Sequence, residues 1–255
     1  MASMKAVVIT RHGGPEVLEI QERTAPEPGP GQIRVRVRTS ALNRADLQQR
    51  RGRYPSPPGS PQEIAGLEDA GEVDAVGPGA GLWALGSRVM GIVGGGGHAE
   101  YVCVHEREAM RVPHTLSWEQ AGAVPEAFLT AYDAVFRQLD VQMGDRLLIH
   151  AVGSGVGTAA VQLASAASVR TIGTSRTESK LRRSLEIGLD EAIDTSQVNW
   201  RERVEELTGG EGVTAVLDLV GGSYFEDNLK VLAPRGRAIV VGTMAGASSQ
   251  LDLGM

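Results

Sequence analysis

One cysteine, Cys103, stands in a chain of 255 residues. An internal disulfide and a multi-cysteine zinc site are thereby excluded. Cys103 sits in the alternating run AEYVCVHE, which reads as a strand, so a packed thiol is expected rather than a nucleophile. Positive charge is also scarce. The net charge of −6 gives bulk electrostatics no hold on nucleic acid. The basic run RTSALNRADLQQRRGR is the one local exception, and it reads as a solvated face. Long apolar runs are missing as well: none reaches the ~18 residues that cross a bilayer. The opening MASMKAVVIT has no apolar stretch followed by a cleavage site. A soluble, cytoplasmic protein without membrane or nucleic-acid partners is the expectation.

What the chain does have is core-forming material, with 42% hydrophobic residues, enough to pack and too much for disorder. The first half reads as β. KAVVI, VLEIQER, IRVRVRT, AGEVDAVG, SRVMGIV and AEYVCV are short alternating or β-branched runs punctuated by APEPGPGQ, YPSPPGSP and the GGGG turn at 94–97. Short strands with frequent turns point to a barrel-like domain. The stretch SWEQAGAVPEAFLTAYDAVFRQL then carries apolar residues at helical spacing. Ser117 is its expected N-cap, with Glu119 in the first turn and Gln120 where a capping box wants Glu or Gln.

From Gly144 the pattern changes. RLLIHAV, VRTIGTS, EAIDT, TAVLDLV and RAIVVGT alternate with helical segments around 156–168, 178–187, 199–208 and 223–232. Apolar strands alternating with helices predict an α/β fold, a parallel sheet covered on both faces and doubly wound in the Rossmann manner. Two domains follow, residues 1–122 and 123–255.

The first strand–turn–helix of this half is LLIHAVGSGVGTAAVQLA. Gly155, Gly157 and Ala160 fit one frame of the GxGxx[GA] pattern. Small residues there let the backbone turn tightly and approach a pyrophosphate, while free N–H groups and the helix dipole face the phosphates. About twenty residues on, where an NAD-preferring site places Asp or Glu on the ribose, stands GTSRTESK. Ser175, Arg176 and Lys180 offer a hydroxyl and two cations, which suit a 2′-phosphate; Glu178 has a dipole role at the helix start. NADP(H) is therefore expected over NAD(H). A solvated helix start without cofactor selectivity is the competing reading.

ALNRADLQQRRGRYPSPPGSPQEIAGLEDAGEVDAVG, GGGGHAEYV, PEAFLTAYDAVF, HAVGSGVGTAAVQLA and DLVGGSYFEDNLKVLAPRGR together resemble the zinc-independent, zeta-crystallin-like quinone oxidoreductase branch of the medium-chain dehydrogenase/reductase superfamily. The resemblance runs through essentially the whole chain. It implies an N-terminal GroES-like β-barrel as the catalytic domain, a Rossmann-like cofactor domain, and an active site in the cleft between. It also implies the branch. Zinc-dependent relatives have a histidine ligand where IAGLED has Leu67, and a cysteine where ALNRAD has Asn43. The four-cysteine zinc lobe is absent. No metal is expected, and His98, His105 and His114, though near Cys103, match no metal motif.

The resemblance further places Asn43 beside the nicotinamide, with Asp46 supporting that segment and Tyr54 bordering the cleft as a phenol for a developing oxyanion. Thr130 contacts the nicotinamide ribose or amide, and Ser154, Gly155, Val156 and Gly157 wrap the pyrophosphate. Val220, Gly221, Gly242 and Thr243 end the fourth and fifth strands, where dinucleotides cross such sheets. Thr195 stands where relatives often carry a tyrosine against the 2′-phosphate, which implies weaker NADPH binding. Structural roles compete with these: Asn43 or Asp46 as a helix cap, Tyr54 as a loop anchor before Pro55.

The implied activity is NADPH-dependent reduction of a quinone or enone by direct hydride transfer, since such an acceptor delocalises the incoming charge without a Lewis acid. The family typically continues past SSQLDLGM with a sixth strand and a return to the catalytic domain. The chain thus reads as C-terminally incomplete, which puts the family's homodimer in doubt. An NADPH-binding structural or regulatory protein with little turnover is the alternative.

Overall fold

In the computed structural model, which describes residues 2–252 and 254, the chain divides into two units, Met1–Glu126 and Ala127–Met255. The first is built from antiparallel β-structure. β1 (Ser3–Ile9) and β2 (Leu18–Thr24) form a hairpin. β3 (Gln32–Thr39), β4 (Glu68–Val76), β5 (Arg88–Ile92), β6 (Tyr101–His105) and β7 (Met110–Arg111) form a second sheet in the order β6-β3-β4-β5-β7. The alternation of QIRVRVRT fixes the facing of β3. Ile33 and Val35 enter a core with Val73, Val89, Val102 and Val104. Arg34 and Arg38 point the other way, pairing across the strand with Asp74 at 2.9 Å and Glu72 at 2.6 Å. Cys103 is a partly buried residue of β6 whose thiol is pushed up to about 11 by burial, so it stays protonated and unreactive at neutral pH.

Two local expectations need correction. The basic run is not solvated throughout: Arg50 is buried and donates to the Gly13 carbonyl at 2.7 Å. A long arginine stem covers apolar surface readily once its head finds an acceptor. The helical stretch after Ser117 is also not one helix. It splits into α2 (Trp118–Ala121) and α3 (Pro125–Tyr132), then a widened turn in which the Leu139 N–H reaches the Ala134 carbonyl. Gly122 closes the first piece and Pro125, lacking an N–H, opens the second. The capping box itself is present: Gln120 N–H donates to Ser117 Oγ at 3.2 Å, and Ser117 N–H to Gln120 Oε1 at 3.0 Å.

The second unit holds β8 (Arg146–Ile149), β9 (Arg170–Ser175), β10 (Glu191–Asp194), β11 (Val213–Asp218) and β12 (Leu232–Val240), all parallel, in the order β10-β9-β8-β11-β12. Between them run α4 (Gly155–Ala166), α5 (Glu178–Glu186), α6 (Trp200–Leu207) and α7 (Phe225–Lys230). β8 shows why its sequence is apolar without alternation. Leu147 and Ile149 pack against Ala160 and Ala164 of α4, while Leu148 faces the opposite side with Trp200 and Val204 of α6. Each of those three side chains is fully buried, contributing about 2 kcal/mol apiece from apolar area alone. The order reverses between β8 and β11, the point where such sheets open a crevice at their C-terminal edge.

Candidate functional site

The glycine turn leaves β8 at Ile149 and enters α4 through Ser154. Ser154 Oγ accepts the Gly157 N–H at 3.2 Å, the usual N-cap arrangement. The N–H groups of Gly155 and Val156, at the first two helical positions, have no acceptor within the helix and point forward with its dipole. The glycines differ in what they do. A Cβ on Gly157 would lie 2.6 Å from the Val152 carbonyl oxygen, so glycine there lets α4 sit against the strand. Gly155 meets nothing nearer than the Ala127 Cβ at 3.8 Å, which leaves open space in front of the helix. At Gly153 a Cβ would collide with Lys180 Cβ at 2.6 Å. That glycine admits the lysine stem of α5 against the turn. The lysine stem and the start of α4 thus flank the same turn.

Ser175 closes β9, and Arg176 and Lys180 beyond it are exposed. The Glu178 carboxylate is engaged by Arg182 at 2.7 Å. Thr195, half-buried, donates its N–H to the Ser175 carbonyl at 3.0 Å, so these two expected cofactor residues are neighbours. At the other two strand ends, Val220 and Gly221 give their N–H groups to Asp218 Oδ1 at 2.7 and 2.9 Å. Gly221 adopts φ +66°, a left-handed conformation suited to glycine. Gly242 packs so closely that a Cβ would lie 2.6 Å from the Leu219 carbonyl oxygen. The Ala245 N–H reaches the Val220 carbonyl at 2.8 Å, tying the loop that holds Gly242 and Thr243 to the loop after β11. Thr130 is half-buried on α3.

In the first unit Asn43 precedes α1 (Arg44–Gln49), and Asp46 takes the Asn43 backbone N–H at 2.7 Å. Asn43 and Asp46 thereby form a capping box at the start of α1, and the Asn43 amide nitrogen is left to point elsewhere. It donates to Glu68 Oε1 at 2.6 Å, and Glu68 Oε2 accepts the Glu126 N–H at 2.9 Å. Asp46 also faces His98 Nε2 at 3.7 Å, and His98 Nδ1 meets Ser40 Oγ at 2.9 Å. Burial raises Glu68 above the usual carboxylate range, against the pull of the Glu126 and Asn43 donors. Glu126 is raised by burial and by the charges of Glu68 and Asp46. Asp69, wholly enclosed, is pushed up to about 7 by burial and then by Glu68.

Asn43, Asp46 and His98 line a groove of about 890 Å³ whose walls are largely apolar, with Ile20 and Leu42 exposed on it. Tyr54 does not join them. It is half-exposed beside a different cavity of about 680 Å³, with Leu67 and Glu126 on its wall. Glu68 as the partner of Asn43, Glu126 as a donor to Glu68, and His98 with Ser40 beside Asp46 escaped the sequence reading; only the fold brings residues 25 positions apart, such as Asn43 and Glu68, into contact.

The donor chemistry around Asn43 bears on metal binding. Leu67 has no lone pair, and the Asn43 amide nitrogen is committed to Glu68. Among the described residues no group of three or more His, Cys, Asp or Glu is arranged to hold a metal ion. Among the same residues no helix is long and apolar enough to cross a membrane.

Two family models match the chain: an alcohol dehydrogenase GroES-like domain over 29–114 and a zinc-binding dehydrogenase over 155–255. A quinone oxidoreductase of Pseudomonas aeruginosa is 37% identical over 252 residues, which cover 98% of this chain and 77% of the relative. The crystal structure of a Pseudomonas syringae quinone oxidoreductase superposes with a TM-score of 0.88 at 33% identity, covering 98% of this chain and 77% of that one. The Escherichia coli quinone oxidoreductase, solved in complex with NADPH, superposes at 0.87 with 32% identity, covering 99% and 77%.

Proposed function

The chain belongs to the quinone oxidoreductases of the medium-chain dehydrogenase/reductase superfamily, and from that premise we propose that it reduces quinones or other electrophilic enones with NADPH and without a catalytic metal. The packing of Lys180 over Gly153, beside the start of α4, carries the cofactor part of this reading. It brings the lysine stem to the turn before α4, whose first N–H groups have no helical acceptor, with Arg176 and Ser175 close in sequence and Glu178 committed to Arg182. That combination suits a 2′-phosphate and repels nothing in it.

In this reading Ser154, Gly155, Val156 and Gly157 hold the pyrophosphate, and Ser175, Arg176, Lys180 and Thr195 hold the phosphorylated ribose. Val220, Gly221, Gly242 and Thr243 form the far strand-end loops, and Thr130 meets the nicotinamide side. The bound dinucleotide supplies a hydride, which with one proton converts a quinone to its hydroquinone. In this reading Asn43, held by Glu68 and Asp46, borders the nicotinamide, while Tyr54, on the wall of a separate cavity, is assigned no part in the step.

Zinc-dependent chemistry is disfavoured by the donors. The zinc-binding dehydrogenase model matches the second unit, yet in the first unit Leu67 and the Glu68-bound Asn43 make a poor ligand set. An ortho-quinone or enone needs no Lewis acid, because its conjugated oxygen takes the charge. The test is NADPH oxidation monitored at fixed enzyme with an ortho-quinone, an enone and a simple aldehyde in parallel. Turnover with the first two and none with the aldehyde is expected; preference for the aldehyde would overturn the reading.

A further inference from the structure

A continuous chain of buried side chains crosses the second unit beneath the strand ends. Thr174, His150, Asn228 and Asp218 are at most 1% exposed. Thr174 Oγ1 lies 2.8 Å from His150 Nδ1, His150 Nε2 lies 2.7 Å from Asn228 Oδ1, and Asn228 Nδ2 lies 2.8 Å from Asp218 Oδ2. The direction of every proton in it is determined. Asp218, as a carboxylate, only accepts, so the Asn228 amide nitrogen donates to it and Asn228 Oδ1 must face the imidazole. That oxygen accepts, so His150 carries its proton on Nε2 and leaves Nδ1 to accept the Thr174 hydroxyl.

The ring is enclosed edge-on by Trp200 at 4.6 Å and Tyr224 at 4.9 Å between centroids. Asp218 is the one charged group that bears on it, and burial favours the neutral imidazole. At one end, the Thr174 carbonyl takes the Val152 N–H of the glycine turn at 3.0 Å, and Ser175 and Arg176 follow directly. At the other end, Asp218 Oδ1 holds the N–H groups of Val220 and Gly221. Nothing else in the proposed site uses these four side chains.

We propose that Thr174, His150, Asn228 and Asp218 act together as a positioning relay that couples the Ser175–Arg176 end of the dinucleotide site to the Val220–Gly221 loop, across the three neighbouring strands β9, β8 and β11. None of the four need touch the cofactor. The relay rests on the NADPH reading for its purpose, but its existence as a coupled unit does not. A neutral imidazole is the only ring that serves it, since an imidazolium would lose the Thr174 acceptor. The relay therefore sets the Val220 and Gly221 N–H groups according to a hydroxyl two strands away.

The experiment compares Thr174→Val, which keeps shape and removes the donor, with Thr174→Ser, which restores it. Amide hydrogen exchange at Val220 and Gly221 and the NADPH dissociation constant are measured on each variant of the 255-residue chain. Thr174→Val should speed exchange at both amides and weaken NADPH by about tenfold, the scale of one buried hydrogen bond, and Thr174→Ser should bring both back. Unchanged exchange at Val220 and Gly221, or failure of serine to restore it, overturns the relay. Faster exchange that serine reverses, in a protein that does not bind NADPH at all, upholds the relay and overturns the cofactor reading. Should Thr174→Val not fold, the wild-type imidazole decides: a slowly exchanging Nε2–H in the nitrogen-15 spectrum at pH 7 supports the relay, and a proton on Nδ1 contradicts it.

Discussion

Asn43, the N-cap of α1, donates a side-chain N–H to Glu68 Oε1 at 2.6 Å. The other Glu68 oxygen is taken by the Glu126 backbone. Replacing Asn43 by Asp puts a second carboxyl against a buried one whose proton affinity is already raised. The folded state of Asn43→Asp then binds more protons than the unfolded chain, so its stability deficit grows as pH rises. Denaturant unfolding at pH 8 should show a loss of about 2–3 kcal/mol, with a smaller loss at pH 5. An equal loss at both pH values would contradict the contact.

Asp69 offers a cleaner titration. Its folded carboxyl is raised to about 7 from 3.8, and its Oδ1 is buried with no hydrogen-bond partner. A raised carboxyl favours folding while protonated, and that contribution is lost as pH climbs from about 4 through 7. Asp69→Asn should therefore gain on the wild type over that interval, by on the order of 1–3 kcal/mol. Paired melting curves from pH 4 to 8 check this; parallel curves would show that Asp69 ionises freely in the fold.

Lys180→Met keeps an apolar stem to pack on Gly153 and removes the ammonium. NADPH should bind about tenfold more weakly to this variant, as expected for one charge-assisted phosphate contact, while NADH binding stays as it was. Equal weakening of both dinucleotides in calorimetric titration would place Lys180 away from the 2′-phosphate.

These sites were legible in the sequence to unequal degrees, for a physical reason. The glycine turn into α4 and the Ser117–Gln120 capping box are local: a few adjacent residues fix the backbone, and the residue types report it directly. Fold class was legible too, because apolar strands spaced by helices admit few arrangements. Contacts made only by the folded chain were not. His150 reads as part of an apolar strand run, yet its partners Thr174 and Asn228 lie 24 and 78 positions away. Arg50 looked like one of several surface cations until the Gly13 carbonyl received it. Tyr54 and Asn43, near in sequence, line separate cavities.

Acid should find His150 first. Burial lowers its folded value from 6.5 to about 4, so the unfolded chain binds the proton more readily than the folded one. The stability this imidazole supports is complete above pH 6.5 and is lost as pH falls from 6.5 toward 4, amounting to about 3 kcal/mol at most. Thr174→Val should not abolish this slope, whereas His150→Phe should flatten it. Unfolding curves for the three proteins between pH 4 and 7 provide the measurement.

The account stands most directly on electron transfer without a metal. The decisive measurement is the rate of ortho-quinone-dependent NADPH oxidation by protein whose zinc content has been determined, before and after exhaustive chelation. The rate should be the same in both samples and independent of the residual zinc. A rate that falls with removed zinc and returns when zinc is added back would contradict it.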